Sequence, residues 1–334
     1  GFLVFDESDF NSGGPQNPVP FALSSSAGET VYLLEADSAG NLLRFVDEVA
    51  FGPTANGVSL GRVPDGQGDL VRLCALTLGA PNSPYCYGPV IINEIQYNPT
   101  GTDTNLEYIE LYNTGVVTES LANWRLRGEV DYDFGMADSI APDQYLLLVG
   151  FDPNNTTLRN AFLATYDLVL GDVTLIGPWT GGQLSNGGGR ITLQRPDSWQ
   201  ALPAPGFFPM LTEDEVNYDD GNGWPIEPDD TGPSLELRSH LLDNRQGTSW
   251  MPSYAPNGTP GRHNDDDNPT IHSGAGFLIT EGDSGTSPAT FTVTLSYMSG
   301  MTVTVNYATQ AGTAVAGTDY LTTTGTLIFP PETI

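Results

Sequence analysis

The chain has 334 residues and a formal net charge of −30, from 26 Asp and 15 Glu against 11 Arg and no Lys. A surface this acidic repels phosphate backbones, which argues against DNA or RNA as a partner and suits divalent cations instead. The 39% of hydrophobic residues can fill real cores, yet no apolar run approaches the roughly 18 residues of a membrane helix, so we expect no membrane insertion in this segment.

Short β-strands are predicted along the chain. The segments ETVYLLEAD, PVIINEI, LEYIELYN, QYLLLVG, GRITLQRP, ATFTVTLS and MTVTVNYAT are rich in Val, Ile, Thr, Tyr and Leu, and Gly, Pro, Asn or Asp bound each one. The best helix candidate is residues 153–167, where a Thr-rich start precedes Leu158, Phe162 and Leu163 at helical spacing. The predicted fold class is therefore all-β, made of sandwiches with little helix.

Two short motifs have the letters of catalytic sites but not their surroundings. GVSLG at 57–61 matches the G-x-S-x-G nucleophile pattern, which requires a helix directly after the serine turn. Pro64 and two glycines follow instead and exclude a helix, so we predict a strand around Ser59. DYDFG at 131–135 contains the kinase metal-binding triplet, but the chain has no Lys to accompany it, so we predict a loop that enters the next strand.

Glu107 and Glu110 in LEYIELYN are candidates for an acid–base pair. On a strand, positions three apart point to opposite faces, so the two carboxylates cannot flank one substrate. We predict that both are structural and accept hydrogen bonds from nearby backbone.

Cys74 and Cys86 are the only cysteines, and a Gly-Pro turn lies between them. A free buried pair and a disulfide both fit this spacing, and we predict the disulfide. An unstrained bridge would add about 3 kcal/mol of stability on the loop-entropy account. It would also imply an oxidising compartment.

The sequence contains an internal repeat. FALSSSAGETVYLLEAD at 21–37 parallels GQLSNGGGRITLQRPD at 182–197, and the opening GFLVFDESDF parallels QYLLLVGFDP at 144–153. Three more pairs follow in the same order: VDEVAFG (46–52) with EDEVNYD (213–219), GVSLGR (57–62) with GPSLELR (232–238), and TLGAPN (77–82) with TPGRHN (259–264). We therefore expect about half a domain to be missing in front of Gly1.

Between residues 89 and 264 the motifs IINEIQYNP, EYIELYNTG, NWRLRG, IAPDQYLLLV, GGQLSNGGGRITLQRPD, GPSLELRS and PNGTPGRHN follow one another. In this order, residues 89–264 resemble a complete lamin tail domain of the bacterial extracellular type. Residues 1–88 resemble the C-terminal part of a second copy. The resemblance implies an immunoglobulin-like β-sandwich, which agrees with the strand pattern, and implies no catalytic role.

The motifs ITEGDSGTSPATFTVTLS, VTVNYATQAGTAVAGTDY and GTLIFPPETI follow. With them, residues 270–334 resemble the N-terminal part of a Calx-β domain, another immunoglobulin-like sandwich. The resemblance implies calcium ligands at Glu281 and Asp319, with further acidic ligands after residue 334, and Ca²⁺ is the cofactor that the sequence indicates. Ala311 stands where many family members have Asp, so the ligand set within these residues is incomplete. We expect a segment of a longer chain, cut inside a domain at each end.

The acidic linker, residues 265–269, lies between the two resemblances. Its three aspartates are Asp265, Asp266 and Asp267. In tandem Calx-β proteins an acidic triplet before a proline often lies at a domain joint, so this one is a candidate calcium clamp. The alternative is a solvated hinge that like charges keep extended. His263 and His272 flank the run, but their spacing fits no zinc pattern.

We predict a non-enzymatic structural or adhesive module of a large secreted or cell-surface bacterial protein. Its stacked sandwiches would be spacers or assembly units, as in a filament or surface layer with calcium-stiffened joints. The alternative is an accessory, non-catalytic region of an extracellular hydrolase or nuclease. Expected partners are other domains of the same longer chain or identical subunits, which would complete open sandwiches by strand addition. Trp179 and Trp224, in Gly/Pro-rich loops, leave polysaccharide binding as a third option.

Overall fold

The structure is a computed structural model, which describes residues 1–10, 22–68, 70–101, 103–197, 209–255, 257–264, 271–273, 285–295 and 302–330. Strands dominate these residues, and the longest helix among them has 10 residues. The chain is therefore all-β, as predicted. None of the helices in the described part has the length and hydrophobicity that crossing a membrane requires.

The N-terminal unit, residues 22–82, consists of two hairpins that follow a one-turn helix. The elements are α1 (Glu7–Phe10), β1 (Glu29–Ala36), β2 (Leu42–Phe51), β3 (Leu60–Arg62) and β4 (Leu70–Arg72). Strand β1 pairs with β2, and β3 with β4, both antiparallel. Val71 and Leu73 are buried, whereas Leu33 and Phe45 are 55% and 70% exposed. The β1–β2 hairpin therefore presents apolar side chains to solvent.

A sandwich of two main sheets follows. Its strands are β5 (Val90–Gln96), β6 (Tyr108–Asn113), β7 (Glu119–Ser120), β8 (Arg125–Gly128), β9 (Tyr132–Asp133), β10 (Ser139–Ile140), β11 (Tyr145–Val149), β12 (Thr174–Ile176), β13 (Gly189–Pro196), β14 (Met210–Tyr218), β15 (Leu235–Leu237) and β16 (Trp250–Pro252). The six-stranded sheet has the order β12-β11-β6-β5-β15-β16, and the four-stranded sheet has the order β14-β13-β8-β9. Strands β7 and β10 form a small antiparallel pair.

One apolar core lies between the two sheets. Ile109 of β6 contributes from the six-stranded sheet, and Leu126 and Ile191 contribute from the four-stranded sheet, all with no exposed surface. Successive side chains of a strand point to opposite faces. Tyr108 and Glu110, the neighbours of Ile109, therefore lie on the outer face of the six-stranded sheet. This outer face is also buried, because a helix and a C-terminal segment cover it.

Helix α2 (Thr156–Thr165) covers one part of that outer face. The side chain of Asn155 caps its start by accepting hydrogen bonds from two backbone N–H groups of the first turn. Phe162 is fully buried and packs edge-on against the ring of Tyr108. The helix predicted at 153–167 is therefore present, and an apolar second layer outside the sheet explains its hydrophobic spacing. Further helical turns lie at Thr104–Leu106, α3 (Pro228–Thr231) and Gly247–Ser249.

Two antiparallel hairpins make up the described C-terminal part. Their strands are β17 (Ile271–Ser273), β18 (Val293–Leu295), β19 (Val303–Ala308) and β20 (Thr324–Phe329). Strand β17 pairs with β18, and β19 with β20. Leu295 is buried, but Tyr307 and Ile328 are 45% and 64% exposed. The β19–β20 hairpin thus leaves apolar side chains uncovered within the described residues.

The two motifs with catalytic letters are both structural. In GVSLG, strand β3 begins directly after Ser59 and turns follow it, without a helix. The loop predicted for DYDFG is present only in part: Tyr132–Asp133 form the edge strand β9, whereas Phe134 and Gly135 lie outside any strand. Arg125 of β8 pairs with Asp133 there. The rings of Tyr132 and Phe134 meet edge-on at 5.1 Å, and this packing holds the segment against the sandwich.

The hairpins β1–β2 and β13–β14 have the same strand register. Val31 pairs with Val49 in one hairpin, Ile191 pairs with Val216 in the other, and both have a bulge at the same distance from these pairs. The segments that follow match as well: the Asn82 side chain donates to the Arg62 carbonyl at 2.9 Å, and the Asn264 side chain to the Leu237 carbonyl at 2.8 Å. The correspondence in sequence is therefore accompanied by a correspondence in pairing.

Candidate functional site

A row of three glutamates crosses the outer face of the six-stranded sheet. Glu94 of β5 lies directly opposite Glu110 of β6 and, on its other side, opposite Glu236 of β15. All three residues are fully buried. Like charges directly opposite one another destabilise a sheet, and a buried carboxylate without partners is costlier still. The row therefore depends on hydrogen-bond donors brought to it by other parts of the chain.

The covering layer over the row is the closing segment, residues 257–264. The backbone N–H of Thr259 donates to Glu94 Oε1 at 2.8 Å. The backbone N–H of Gly261 donates to Glu110 Oε2 at 2.6 Å. The carboxylates thus attach the last part of the sandwich to its central strands.

Side-chain donors complete the arrangement. The hydroxyl of Tyr108 donates to Glu94 Oε1 at 2.6 Å, and the hydroxyl of Ser234 donates to the same oxygen. The hydroxyl of Thr259 donates to Glu236 Oε1 at 2.8 Å. The donors come from β6, from the residue before β15 and from the closing segment. The row therefore joins three parts of the sequence that lie far apart in the chain.

Gly258 allows the closing segment to approach the row. Its φ is +88°, in the left-handed region, and a Cβ at this position would lie 2.4 Å from both Glu94 Oε1 and the Tyr108 hydroxyl. A side chain here would have to displace one of these two buried partners. The absence of a side chain at Gly258 is thus required for the closing segment to contact the row of glutamates.

Burial and mutual repulsion change the protonation of the row. Burial raises the pKa of Glu110 well above its usual value, and the charge of Glu94 raises it further, while the N–H of Gly261 opposes this. The pKa of the Tyr108 hydroxyl is likewise raised by burial and by Glu94, so this group stays a neutral donor. Burial therefore favours the protonated form of Glu110, and the contacts of the row hold the closing segment in place.

Two more buried carboxylates bind backbone in the same way. Glu107 accepts the N–H of Leu184 at 2.8 Å, and burial raises its pKa to about 7. Asp214 of β14 accepts the N–H of Ile92 at 2.7 Å and so bridges the two sheets. Burial raises the pKa of Asp214 to about 6. The structural role predicted for Glu107 and Glu110 agrees with these contacts, because both accept backbone hydrogen bonds.

A polar cleft of about 290 Å³ opens beside the closing segment. It is lined by Asp143, Gln144, Tyr145, Asp172, Val173, Gly261, Arg262 and His263. The hydroxyl of Tyr145 and Nδ1 of His263 are 2.9 Å apart, and the ring of Tyr112 stacks on Tyr145 at 4.7 Å. The Tyr112 hydroxyl donates to Asp143 at 2.6 Å. The aromatic side chains here thus contact neighbouring side chains on and beside the paired strands β6 and β11.

The candidate calcium ligands fall mostly outside the described residues. Glu281, Asp265, Asp266 and Asp267 lie there. Asp319 is described and exposed, and its Oδ2 accepts the backbone N–H of Val315 at 2.7 Å, which closes its own loop. Within the described part, no group of three or more His, Cys, Asp or Glu side chains is arranged to hold a metal ion. These residues therefore do not by themselves form the ligand set that Ca²⁺ requires.

The remaining candidates have structural positions. Cys74 and Cys86 are joined as a disulfide, with Cα atoms 4.6 Å apart. Trp179 is buried and donates its ring N–H to the Gly182 carbonyl at 2.9 Å, so it does not form an exposed platform for polysaccharide. Trp224 is half-buried against the core.

Glu94 and Glu236 are the residues of the row that sequence analysis missed. Each lies in the middle of a short apolar strand, in INEI and LEL, and Glu110 lies in the same way in IEL. A glutamate within a largely apolar strand that is buried on both faces is the signal that marks them. That pattern does not predict that the three strands are neighbours in one sheet.

The fold and this interior define an immunoglobulin-like β-sandwich module. Comparison with family models finds two such domains: the chain contains a lamin tail domain, matched over residues 84–198, and a Calx-beta domain, matched over residues 280–334. Calx-beta domains are known to bind calcium. A search of the curated proteins finds no match. The sandwich itself continues beyond the matched residues, since β14, β15 and β16 belong to its two sheets.

Proposed function

We propose that the chain is a structural or adhesive module of a large secreted or cell-surface bacterial protein. In this proposal, stacked sandwiches form an acidic spacer or assembly unit, as in a filament or surface layer. The module has no enzymatic activity. The residue boundaries that we propose are 1–88 for a first lamin-tail-like part, 89–264 for the complete sandwich, 265–269 for the linker and 270–334 for the Calx-beta part.

The observation that carries the proposal is the use of the buried carboxylates. Glu94, Glu110, Glu107 and Asp214 all accept backbone N–H groups of their own chain. An acid or base in catalysis must reach a substrate proton, and these groups are spent on holding strands and the closing segment. Perturbed pKa values are often a sign of an active site, but structural networks produce them too.

The exposed apolar side chains of the N-terminal unit support the proposal that a partner adds strands to this unit or covers its sheet. In the complete sandwich, Ile191 and Leu193 have no exposed surface. Their counterparts in the N-terminal unit, Val31 and Leu33, are 40% and 55% exposed. We propose that another domain of the same longer chain or an identical subunit covers this hairpin. Exposed apolar patches of this kind mark interaction surfaces.

Two further elements of the proposal concern calcium and compartment. Calcium would bind in the Calx-beta part through Glu281 and Asp319, with Asp265, Asp266 and Asp267 as a clamp at the linker. The disulfide of Cys74 and Cys86 supports an oxidising, extracellular location. The alternative, an accessory region of an extracellular hydrolase or nuclease, has the same modules and differs in what accompanies them.

Sedimentation velocity over a range of concentrations tests the assembly proposal. We expect the chain to self-associate, and Leu33→Ser on the exposed apolar face of the β1–β2 hairpin to weaken that association at least tenfold. Leu241→Ser is the matched control, because Leu241 is 63% exposed but lies outside the hairpin. A monodisperse, fully folded monomer at all concentrations, or equal effects of the two substitutions, would contradict the proposal.

A further inference from the structure

The junction between the N-terminal unit and the lamin tail sandwich is built as a continuation of β4. The N–H of Cys86 donates to the Arg72 carbonyl at 2.8 Å, and the Arg72 Nε donates to the Cys86 carbonyl at 2.9 Å. Leu73 and Tyr85 form an antiparallel bridge beside this pair. Strand β5 begins shortly afterwards, at Val90. The connection therefore runs as paired backbone from one unit into the other.

A buried carboxylate of the sandwich binds this junction. Glu213 of β14 is 2% exposed, and its Oε2 lies 3.7 Å from Nη1 of Arg72 and 2.7 Å from Nε of Arg195. A Cβ on Gly88 would lie 1.5 Å from Glu213 Oε1, so the carboxylate packs directly against the junction backbone. Because Glu213 is desolvated, removing one of its cations leaves a buried charge poorly compensated.

A second cation holds the connector from the other side. The guanidinium of Arg245 lies 4.6 Å from the centre of the Tyr85 ring. Asp243 binds that guanidinium with both carboxylate oxygens, at 2.9 and 2.8 Å, which fixes its plane over the ring. Cation–π contacts of this geometry are strongest when partly desolvated, and Tyr85 is half-buried.

Arginine side chains are clustered at this junction. The chain has 11 Arg and no Lys against 41 acidic residues, so its units repel one another. Arg72, Arg195 and Arg245 all lie at this junction. The disulfide between Cys74 and Cys86 closes the loop on which Tyr85 is presented. Charge attraction and a covalent link thus act on the same short segment.

We propose that these contacts hold the N-terminal unit and the lamin tail sandwich together as one rigid body, and that this rigidity depends on the Cys74–Cys86 disulfide. Reduction by a dithiol transfers two electrons and two protons to the disulfide, yields two thiols, and closes the reductant to its own cyclic disulfide. The loop is then released and the two units move independently. This inference deepens the proposed spacer role, yet it concerns stiffness within one chain and not association between chains.

Hydrogen exchange and small-angle scattering on the full chain test the proposal. The reporters are the backbone amides of Cys74 and Cys86, which donate to the carbonyls of Pro84 and Arg72 at the junction. We expect dithiothreitol, or replacement of both cysteines by serine, to raise exchange at these amides at least tenfold and to increase the radius of gyration. The amide of Ile109 in the sandwich should be unaffected, which separates release of the junction from unfolding.

Substitutions at Tyr85 and Glu213, which contact the arginines of the junction, complete the test. Tyr85→Leu, which removes the aromatic face, should raise exchange at the junction, whereas Tyr85→Phe should not. Glu213→Gln should act like Tyr85→Leu. Glu215→Gln is its control, because Glu215 lies on the same strand as Glu213 but binds Arg190 of β13. Unchanged exchange and dimensions after both reduction and Tyr85→Leu would overturn the proposal. The monomer–oligomer equilibrium is measured separately, so failure of the spacer function and failure of this joint are distinguishable.

Discussion

Carboxylates are the residues on which the interior of the lamin tail sandwich depends. A strand segment or a closing segment that runs over a sheet has backbone N–H groups that need acceptors once they are buried. Glu94, Glu110 and Asp214 provide these acceptors by reaching across to segments that no sheet pairing connects. Each one costs desolvation, which shows in the raised pKa of Glu110 and Asp214. The chain therefore uses ionisable side chains as acceptors for backbone N–H groups of segments that its sheet pairing does not join.

The buried carboxyls make stability depend on pH. Burial raises the folded-state pKa of Glu107 to about 7, above the value of 4.5 that applies in the unfolded chain. Between these values the folded state binds more protons, so the free energy of unfolding should fall as pH rises through this window. We expect chemical denaturation to give a sandwich about 1–2 kcal/mol more stable at pH 5 than at pH 8.

Glu107→Gln isolates this group. Glutamine keeps an acceptor for the Leu184 N–H but does not titrate, so its profile should be flatter between pH 5 and pH 7 than that of the wild type. Asp37, in contrast to Glu107, should not contribute to the pH dependence in this window. Hydrogen bonds from Asn41 hold its pKa below the usual 3.8, so it stays ionised throughout. An identical profile for Glu107→Gln and the wild type would contradict the assignment.

Gly258 gives a prediction that does not involve titration. Gly258→Ala forces a side chain onto a left-handed backbone and into contact with Glu94 and Tyr108. We expect a loss of about 2–4 kcal/mol in the free energy of unfolding. Gly187→Ala is the control, since no atom lies within 4 Å of its Cβ position. Equal stabilities of the two variants, measured by urea denaturation, would show that the closing segment is not held tightly.

The elements of the outer layer follow from short-range signals in the sequence. Leu158, Phe162 and Leu163 predicted helix α2, because the spacing of apolar residues on one face is enough to dock a helix on a sheet. The signal for β9 was weaker: its two residues pair with β8, and the ring of the following Phe134 packs in the core. A loop and an edge strand are alike in sequence when long-range packing decides between them.

The glutamate row shows why the candidate site was harder to predict than the fold. Alternation within each strand places Glu94, Glu110 and Glu236 on one face of its own strand. Which strands become neighbours is determined by connections across residues 97–107 and 114–234, and the sequence has no local mark of that order. Only the register brings the three carboxylates into one row.

The start of α2 provides a test of local capping. Asn155→Ala removes the acceptor for two N–H groups of the first turn and should cost about 1 kcal/mol. Asn154→Ala is the matched control, because the Asn154 side chain bonds only to Asp152 in the preceding turn. Thermal unfolding followed by circular dichroism compares the two. A larger effect for Asn154→Ala would mean that the helix is not capped as described.

The net charge of −30 governs the behaviour of the entire chain in solution. Self-repulsion destabilises compact states, and the Debye length shortens from about 30 Å at 0.01 M salt to about 8 Å at 0.15 M. We therefore expect sodium chloride to raise the melting temperature across this range. The effect should be general, since acidic residues are distributed over both the N-terminal unit and the lamin tail sandwich.

Calcium should act in addition to this screening if the Calx-beta part binds it. At equal ionic strength, calcium chloride is expected to raise the melting temperature more than sodium chloride does, and chelator should reverse only the calcium-specific part. Asp319→Asn separates binding from screening: it removes one charge and one calcium ligand, so the extra stabilisation should shrink while the response to sodium chloride stays the same. Equal effects of the two salts would restrict the role of the acidic surface to repulsion between neighbouring modules.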